Sequence, residues 1–132
     1  MGPVRVLLDT HALIWWLFDD PKLPKVAREV IKAADNEVLV SCVSAWEITT
    51  KHRLGKLAEA GNLPTRFEHY IAAARFRPLP IMLDHALAAG RLPGPHKDPF
   101  DRMLIAQGQQ EKLPIVTGDP VFADYGAEII WR

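Results

Sequence analysis

The chain has 132 residues, the size of one ordinary domain and enough to bury a core without disulfide or zinc support. Sixteen Lys and Arg residues balance sixteen Asp and Glu residues, so the chain lacks the overall basic charge of proteins that coat nucleic acids regardless of sequence. Its single cysteine, Cys42, lies in an apolar segment and is predicted to be a buried thiol of a reducing, cytoplasmic protein. Arg5, Asp9 and His11 interrupt the N-terminal apolar segment, which therefore predicts neither a signal peptide nor a membrane span.

Along the whole chain, apolar residues alternate between the pattern of buried strands and that of amphipathic helices. In chain order, the predicted elements are a strand at 4–9, helices at 10–20 and 24–35, a strand at 37–42, helices at 44–57 and 65–76, a strand at 77–82, helices at 84–92 and 98–112, and strands at 114–118 and 128–131. The strand at 77–82 contains two prolines, which favours an edge position. This order predicts a single α/β domain over residues 1–132, with a mainly parallel sheet of four or five strands flanked by helices.

Five acidic residues fall where the predicted strands end or where the following helices begin. They are Asp9, Glu47, Asp98, Asp101 and Asp119. Parallel sheets place their ligand sites beyond the carboxyl ends of the strands, so we expect these carboxylates to meet at one edge. Carboxylates brought together repel one another unless a cation pairs with them. Because the ligands are all oxygens, the sequence predicts one or two Mg²⁺ or Mn²⁺ ions rather than Zn²⁺.

Each acid also has a structural interpretation as part of a helix cap. Ser44 and Glu47 have the spacing of a capping box, and Asp98 and Asp119 each precede a proline, as an N-cap often does. Asp9 has less need of this role, because the residue after it, a threonine, is a sufficient cap. The two roles are compatible, since a capping carboxylate can present its other oxygen to an ion.

Other catalytic schemes find little support in the sequence. The motifs GxSxG, GxxxxGKS/T and GxGxxG are absent, as are HExxH and CxxC. For the four tryptophans, packing in the core or at a dimer interface is favoured over stacking on bases. His11, His96 and the basic residues near the acids are candidate substrate contacts, although ordinary structural and surface roles explain them equally well.

The chain resembles the PIN-domain ribonucleases, and in particular the VapC-type toxins of prokaryotic toxin–antitoxin modules. The resemblance covers nearly the whole chain and is carried by LLDTHALIWWL, SAWEI followed by GKL, KDPFDRMLIAQ, IVTGD and a last strand that closes on Trp131. It implies a PIN fold with a central parallel sheet. It also implies that the catalytic acids, in chain order, are Asp9, Glu47, Asp101 and Asp119.

The resemblance assigns roles to neighbours of these acids as well. Asp98 matches an additional acid of the DPFDR subgroup and is expected to be a metal ligand, directly or through water, beside the three catalytic aspartates. Thr10 and Thr117 match the hydroxyl residues next to the first and fourth acids. Together with two basic residues close to the acids, Lys51 and Arg102, these threonines are the predicted substrate contacts.

The function implied by the resemblance is Mg²⁺-dependent hydrolysis of RNA phosphodiester bonds by an endoribonuclease, with Glu47 orienting or deprotonating the attacking water. The chain is likewise expected to form a homodimer and to be neutralised by a small antitoxin protein whose tail lies in the active-site groove. Two alternatives remain open. One is a catalytically idle PIN-like module that binds RNA or a partner, and the other is a phosphatase of the haloacid dehalogenase type, which requires an acid where His11 stands.

Overall fold

The computed structural model describes residues 2–132, which form a five-stranded parallel sheet covered by helices on both faces. The strands are β1 (Arg5–Leu8), β2 (Glu37–Ser41), β3 (Arg77–Leu79), β4 (Ile115–Val116) and β5 (Ile129–Ile130). The α-helices are α1 (Thr10–Leu17), α2 (Lys25–Lys32), α3 (Cys42–Arg53), α4 (Phe67–Ala73), α5 (Leu83–Arg91), α6 (Pro99–Glu111) and α7 (Pro120–Asp124). Two short 3-10 helices, Ala58–Ala60 and Leu63–Thr65, connect α3 to α4. No helix within residues 2–132 combines the length and apolar character needed to cross a membrane.

The central strands are buried on both faces because their apolar side chains alternate between two cores. In β1, Val6 and Leu8 pack into the core that includes residues of α1, α2 and α4. Leu7 points to the opposite face and packs into the core that includes Leu104 of α6 and Phe122 of α7. Burial on both sides explains why these strands read as continuous apolar runs in the sequence.

The strand order β3-β2-β1-β4-β5 places β1 at the centre of the sheet. The chain first builds outward from β1 to β3, and it then returns to pair β4 with the other side of β1. The loops that follow β1 and β4 therefore run in different directions, and open α/β sheets bind ligands in the crevice that this change creates. Asp9 follows β1 directly, and Asp119 follows β4 after Thr117 and Gly118.

The predicted fold class is confirmed, with five strands that are all parallel and with β3 at an edge of the sheet. The first strand is two residues shorter than predicted, one at each end. It ends at Leu8 because Asp9 has the extended conformation of an N-cap. Its Oδ1 accepts a hydrogen bond of 2.7 Å from the N–H of Ala12. The expectation that Thr10 caps α1 is therefore wrong, and Thr10 is instead the first residue of that helix.

The start of α3 also differs from the prediction. Ser41 is the N-cap of α3, and its hydroxyl accepts a hydrogen bond from the N–H of Val43. Ser44 and Glu47 consequently lie inside the helix and form no capping box. Cys42 is exposed rather than buried, because it is the first residue of α3 and not the last residue of a buried strand.

Two glycines in helices test the packing of the fold. A Cβ on Gly108 of α6 would lie 2.8 Å from Ile115 Cδ1 and 3.2 Å from Leu113 O, whereas a Cβ on Gly90 of α5 would meet nothing within 4 Å. Helix propensity favours alanine over glycine by about 1 kcal/mol. We predict that Gly90→Ala raises the free energy of unfolding by up to about 1 kcal/mol, and that Gly108→Ala lowers it by about 1–3 kcal/mol through overpacking.

Urea denaturation of the two variants and the wild type measures both changes, and Gly90→Ala serves as the control for helix propensity. Stabilisation of similar size by both substitutions would contradict the close packing of α6 against β4.

Candidate metal and active site

Asp9 and Asp119 stand at the carboxyl ends of the two neighbouring strands β1 and β4. Asp9 is buried, with 7% of its surface exposed. Asp119 is the N-cap of α7, and its Oδ1 accepts a hydrogen bond of 3.0 Å from the N–H of Val121. Thr117 lies between the two acids, since its hydroxyl accepts from the N–H of Asp119 at 3.1 Å and also forms a hydrogen bond with the carboxylate of Asp9.

Glu47 reaches the site from α3 and is held by side chains of two helices. It is 4% exposed. The hydroxyl of Thr10 in α1 donates to Glu47 Oε1 at 2.5 Å, and Ser44 Oγ lies 3.1 Å from the same hydroxyl oxygen. Lys51, one turn further along α3, forms an ion pair with the other carboxylate oxygen. Both oxygens of Glu47 are therefore engaged, which fixes the carboxylate at the contact between α1 and α3.

Asp98 and Asp101 enter the site from the start of α6. Asp98 has the predicted role of N-cap, because its Oδ1 accepts from the N–H groups of Phe100 and Asp101 at 2.9 and 3.1 Å. Its other oxygen makes no hydrogen bond within residues 2–132. Asp101 Oδ2 lies 2.9 Å from His96 Nε2, a contact that orients Asp101 from the loop before the helix.

Burial makes the charge of Asp9 unfavourable. Burial raises the pKa of Asp9 from 3.8 to about 6, although hydrogen bonds from Thr117 and from the main chain oppose the rise. The positive charge of His11 also lowers the pKa, whereas the negative charge of Asp101 raises it. Asp9 therefore lies close enough to Asp101 for their charges to interact.

The remaining acids also lie close enough to Asp101 for their charges to affect its pKa. Burial raises the pKa of Asp101, and the hydrogen bond with His96 opposes this effect. The charges of Asp98, Glu47 and Asp119 raise the pKa further. The structure thus brings all five acids to one edge of the sheet, as predicted from the sequence.

Lys51 is the cation that the protein itself supplies to this cluster. Burial alone would lower the pKa of Lys51, but the hydrogen bond and charge of Glu47 outweigh burial and raise the pKa above its usual value. The charges of Asp98 and Asp101 act in the same direction. One ammonium group nevertheless faces several carboxylates, so the cluster keeps an excess of negative charge.

The donor set fits a hard divalent cation such as Mg²⁺ or Mn²⁺, because all the donors are carboxylate oxygens and their charge is incompletely balanced. Within the described part of the chain, no three of these acids bring oxygens within 4.8 Å of one another. The cluster is therefore more open than a closed protein cage. An open site suits Mg²⁺, which keeps several water ligands and takes only a few from the protein.

A second group of potential ligands lies between α5 and α6. Ligand atoms of Asp84, His85 and Glu111 all lie within 4.8 Å of one another. His85 Nδ1 accepts a hydrogen bond from the N–H of Met82, so the ring proton is on Nε2, which donates to Glu111 Oε2 at 2.9 Å. A protonated nitrogen has no lone pair for a metal, and this cluster joins two helices instead. The sequence does not predict this group, because its members belong to no motif.

The four predicted substrate contacts are engaged within the protein. Thr10 and Thr117 are buried and direct their hydroxyls to the acids, and Lys51 is paired with Glu47. Arg102 lies away from this role, because its guanidinium donates to the main-chain carbonyl oxygens of Ala89, Leu92 and His96. These bonds tie the loop before α6 to α5, and they give no support to a phosphate contact by Arg102.

The tryptophans divide into two groups. Trp15, Trp16 and Trp131 are half-buried and pack against the core on the α1 side of the sheet, in keeping with the packing role predicted for them. Trp46 is 58% exposed and meets the ring of Phe100 edge to face, with centroids 5.0 Å apart. Phe100 directly precedes Asp101, so this ring pair lies at the start of α6, where two of the acids stand.

Comparison with known proteins matches the PIN-domain family profile to residues 6–128. Among solved structures, the chain is similar to VapBC2 from Rickettsia felis bound to a promoter DNA fragment, with a TM-score of 0.71 and 13% identity over 98% of this chain and 99% of the other. It is similar to FitAcB from Neisseria gonorrhoeae, with a TM-score of 0.65 and 20% identity over 95% and 96% of the two chains.

The chain is also similar to VapC20 from Mycobacterium tuberculosis, a toxin that cleaves the sarcin-ricin loop, with a TM-score of 0.65 and 14% identity over 96% and 99% of the two chains. No curated protein matches the chain by sequence. At these identities, the likeness to solved structures establishes only the fold. The family profile matches most of the chain and establishes the family. The chain therefore belongs to the PIN-domain family.

Proposed function

We propose that this protein is an endoribonuclease that depends on Mg²⁺ or Mn²⁺ and acts as the toxin of a toxin–antitoxin pair. The observation that carries the nuclease proposal is the meeting of mutually repelling carboxylates, above all buried Asp9 and half-buried Asp101, beyond the ends of β1 and β4. Such a cluster is stabilised by a divalent cation, and carboxylate-bound Mg²⁺ serves enzymes that act on phosphate esters. Membership of the PIN-domain family favours this chemistry over the phosphatase alternative.

In this proposal, Asp9, Asp101 and Asp119 hold one or two ions, and Asp98 contributes directly or through water. When bound, the metal lowers the pKa of a water molecule and offsets the charge on the leaving 3′ oxygen. Glu47 orients the attacking water or accepts its proton. By analogy with the family, the products carry 5′-phosphate and 3′-hydroxyl ends.

The surrounding residues keep the acids in place for this reaction. Thr10 holds one oxygen of Glu47 and Lys51 holds the other, so that its carboxylate turns little. The hydrogen bond between His96 and Asp101 acts in the same way on the third catalytic acid. Thr117 supports Asp9 and the main chain of Asp119 together.

The toxin role and its partners follow from the likeness to the solved structures. The similar proteins include the toxin–antitoxin pairs VapBC2 and FitAB, and we infer that this chain likewise binds a small antitoxin, forms a homodimer and acts on RNA in the cytoplasm. Exposed apolar side chains before and within α5 support contact with another protein. They are Ile81, Met82, Leu83 and Leu87, of which Leu83 is 75% exposed.

Substitution of the acids by their amides tests the nuclease proposal. We predict that Asp9→Asn and Asp101→Asn each lower the rate of Mg²⁺-dependent cleavage of single-stranded RNA by more than about 100-fold, because loss of a ligand should exceed the 10–100-fold loss typical of residues that only orient a ligand. The measurement is the cleavage rate of purified protein with Mg²⁺ and with EDTA.

The matched control is Asp35→Asn, which removes an exposed carboxylate from the loop before β2 and should cleave like the wild type. Wild-type protein that binds RNA but leaves it intact in Mg²⁺ and in Mn²⁺ would instead identify an idle binding module.

The raised pKa of Asp9 predicts that Asp9→Asn stabilises the metal-free protein at neutral pH. Because the pKa is about 6 in the folded protein and 3.8 in the unfolded chain, folding favours the protonated carboxyl. Its contribution is complete below pH 3.8 and is lost as the pH rises to about 6. Asparagine keeps the N-cap without the charge. In EDTA at pH 7.5, urea denaturation should show Asp9→Asn to be more stable by about 1–3 kcal/mol.

Addition of Mg²⁺ should reduce this difference, because the wild type gains stability by binding the ion and the variant loses that gain. Asp35→Asn should respond to EDTA and Mg²⁺ like the wild type. If Asp9→Asn were less stable than the wild type in EDTA, Asp9 would be a structural residue. Its buried charge would then not destabilise the folded protein.

A further inference from the structure

A cavity of about 320 Å³ opens directly beside two of the proposed metal ligands. Its acidic side consists of Asp9 and Asp119, and its other side consists of His11, Trp15, Lys22 and Trp131. The volume lies within the range of about 300–1,000 Å³ that is typical of small-molecule sites. The mechanism proposed above uses only the acidic side, so the aromatic and basic residues need a separate explanation.

Three neighbouring rings line the second side of the cavity. The ring centroids of His11 and Trp15 are 5.5 Å apart with an angle of 32° between the planes, and those of Trp15 and Trp131 are 5.9 Å apart with an angle of 47°. The two indoles are half-buried and anchored in the core, while His11 is exposed. The core therefore holds the two indoles in place, and all three rings line the cavity.

A glycine brings one of these indoles against the metal site. A Cβ on Gly118 would lie 2.6 Å from Trp131 Cε2 and 2.8 Å from its Nε1, so only glycine lets the indole approach the main chain at this position. Gly118 immediately precedes Asp119. The ring of Trp131 consequently lies next to Asp119.

Lys22 supplies a positive charge at the same opening. Its Nζ lies 5.6 Å from the ring of Trp15, and the side chain is exposed. Among residues 2–132, no carboxylate forms an ion pair with it. Because the adjacent acids would be neutralised by a metal, this ammonium remains available for an anionic ligand.

We propose that this cavity, defined by His11, Trp15, Lys22 and Trp131, binds one unpaired nucleotide of the RNA next to the scissile phosphate. The base stacks on the indole surface, and the phosphate of that nucleotide meets Lys22. Aromatic stacking accepts any base, because every base has a π face, so the cavity selects single-stranded RNA without selecting a sequence. The inference rests on the proposed nuclease function and adds to it the class of RNA that the site accepts.

A nucleotide fits this cavity better than a peptide side chain. A nucleotide carries a flat π system and an anionic group on one small unit, which matches rings beside an unpaired lysine. It is also continuous with a phosphodiester at the adjacent metal site, whereas a peptide has no phosphate to place there. If the cavity takes a peptide instead, Trp131→Leu should leave RNA binding unchanged.

The test measures binding of a fluorescent eight-nucleotide single-stranded RNA in Mg²⁺, by anisotropy, in an Asp101→Asn background that does not cleave. Trp131→Leu should weaken binding by about 5- to 100-fold, as expected for one lost stacking contact. Trp131→Phe should recover most of the affinity, because it keeps an aromatic face. An RNA of the same length without bases should bind equally to Trp131→Leu and to its parent.

Lys22→Gln probes the phosphate contact and is safe for folding, because the side chain is exposed. It should weaken binding of both RNAs and reduce the slope of log affinity against log salt by about 0.7. Two matched controls should bind like the parent. Lys25→Gln removes another exposed lysine, and Trp16→Leu removes a half-buried indole that lines a different cavity.

Equal affinity of Trp131→Leu and its parent for normal RNA would overturn the proposal. An equal loss of affinity for both RNAs would also overturn it, because such a loss indicates a general structural role for Trp131. If Trp131→Leu does not fold, His11→Leu is compared in the same way. We then expect His11→Leu to lose affinity for the RNA that has bases and to keep its affinity for the RNA without bases. Base-dependent binding by a wild-type chain that cuts no RNA would refute the nuclease function and keep the nucleotide site. Cleavage by pocket variants with unchanged kcat and KM would refute the site and keep the nuclease.

Discussion

The edge of the sheet that carries the acids depends on one constraint, the burial of the negative charge of Asp9. Asp9 lies where the loops that follow β1 and β4 run in different directions. β1 is covered on both faces, and the residue that follows it has little access to water. Hydrogen bonds from Thr117 and from the start of α1 favour the charged form, yet desolvation outweighs them and the pKa stays high. A fold that keeps this residue charged at neutral pH gains from a cation at the same edge, where Asp101 and Asp119 add further negative charge.

Helix starts prepare these carboxylates for such an ion. Asp9, Asp98 and Asp119 are N-caps, and each uses one oxygen to accept from main-chain N–H groups. A cap fixes the side chain, so the second oxygen has a defined position and loses little freedom when it binds a ligand. Glu47 is held differently, by Thr10 across the contact between α1 and α3 and by a lysine one turn along its own helix. This difference agrees with a separate role for Glu47 toward water rather than metal.

The sequence predicts the succession of strands and helices along the chain and the edge at which the acids meet, because buried parallel strands and their carboxyl-terminal loops leave a regular pattern. It does not predict that Thr10 donates a hydrogen bond to Glu47, because the two residues are 37 positions apart and the contact depends on how two helices pack. Arg102 misleads for the same reason, since its position beside Asp101 suggests phosphate binding while its guanidinium reaches back to the main chain near α5. The position of Trp131 also does not follow from the sequence, because only the folded chain shows the indole lying on Gly118.

Two groups of acidic residues now compete as places for a divalent ion, the edge that contains Asp9 and the pair of helices that contains His85. The hydrogen bond from Met82 to His85 argues against the second group, and the excess charge argues for the first. A crystal grown with Mn²⁺ and measured for anomalous scattering decides between them most directly. We predict an anomalous peak coordinated by Asp9 and by Asp101 or Asp119. A peak only at His85 and Glu111, or none at all under saturating Mn²⁺, would contradict it.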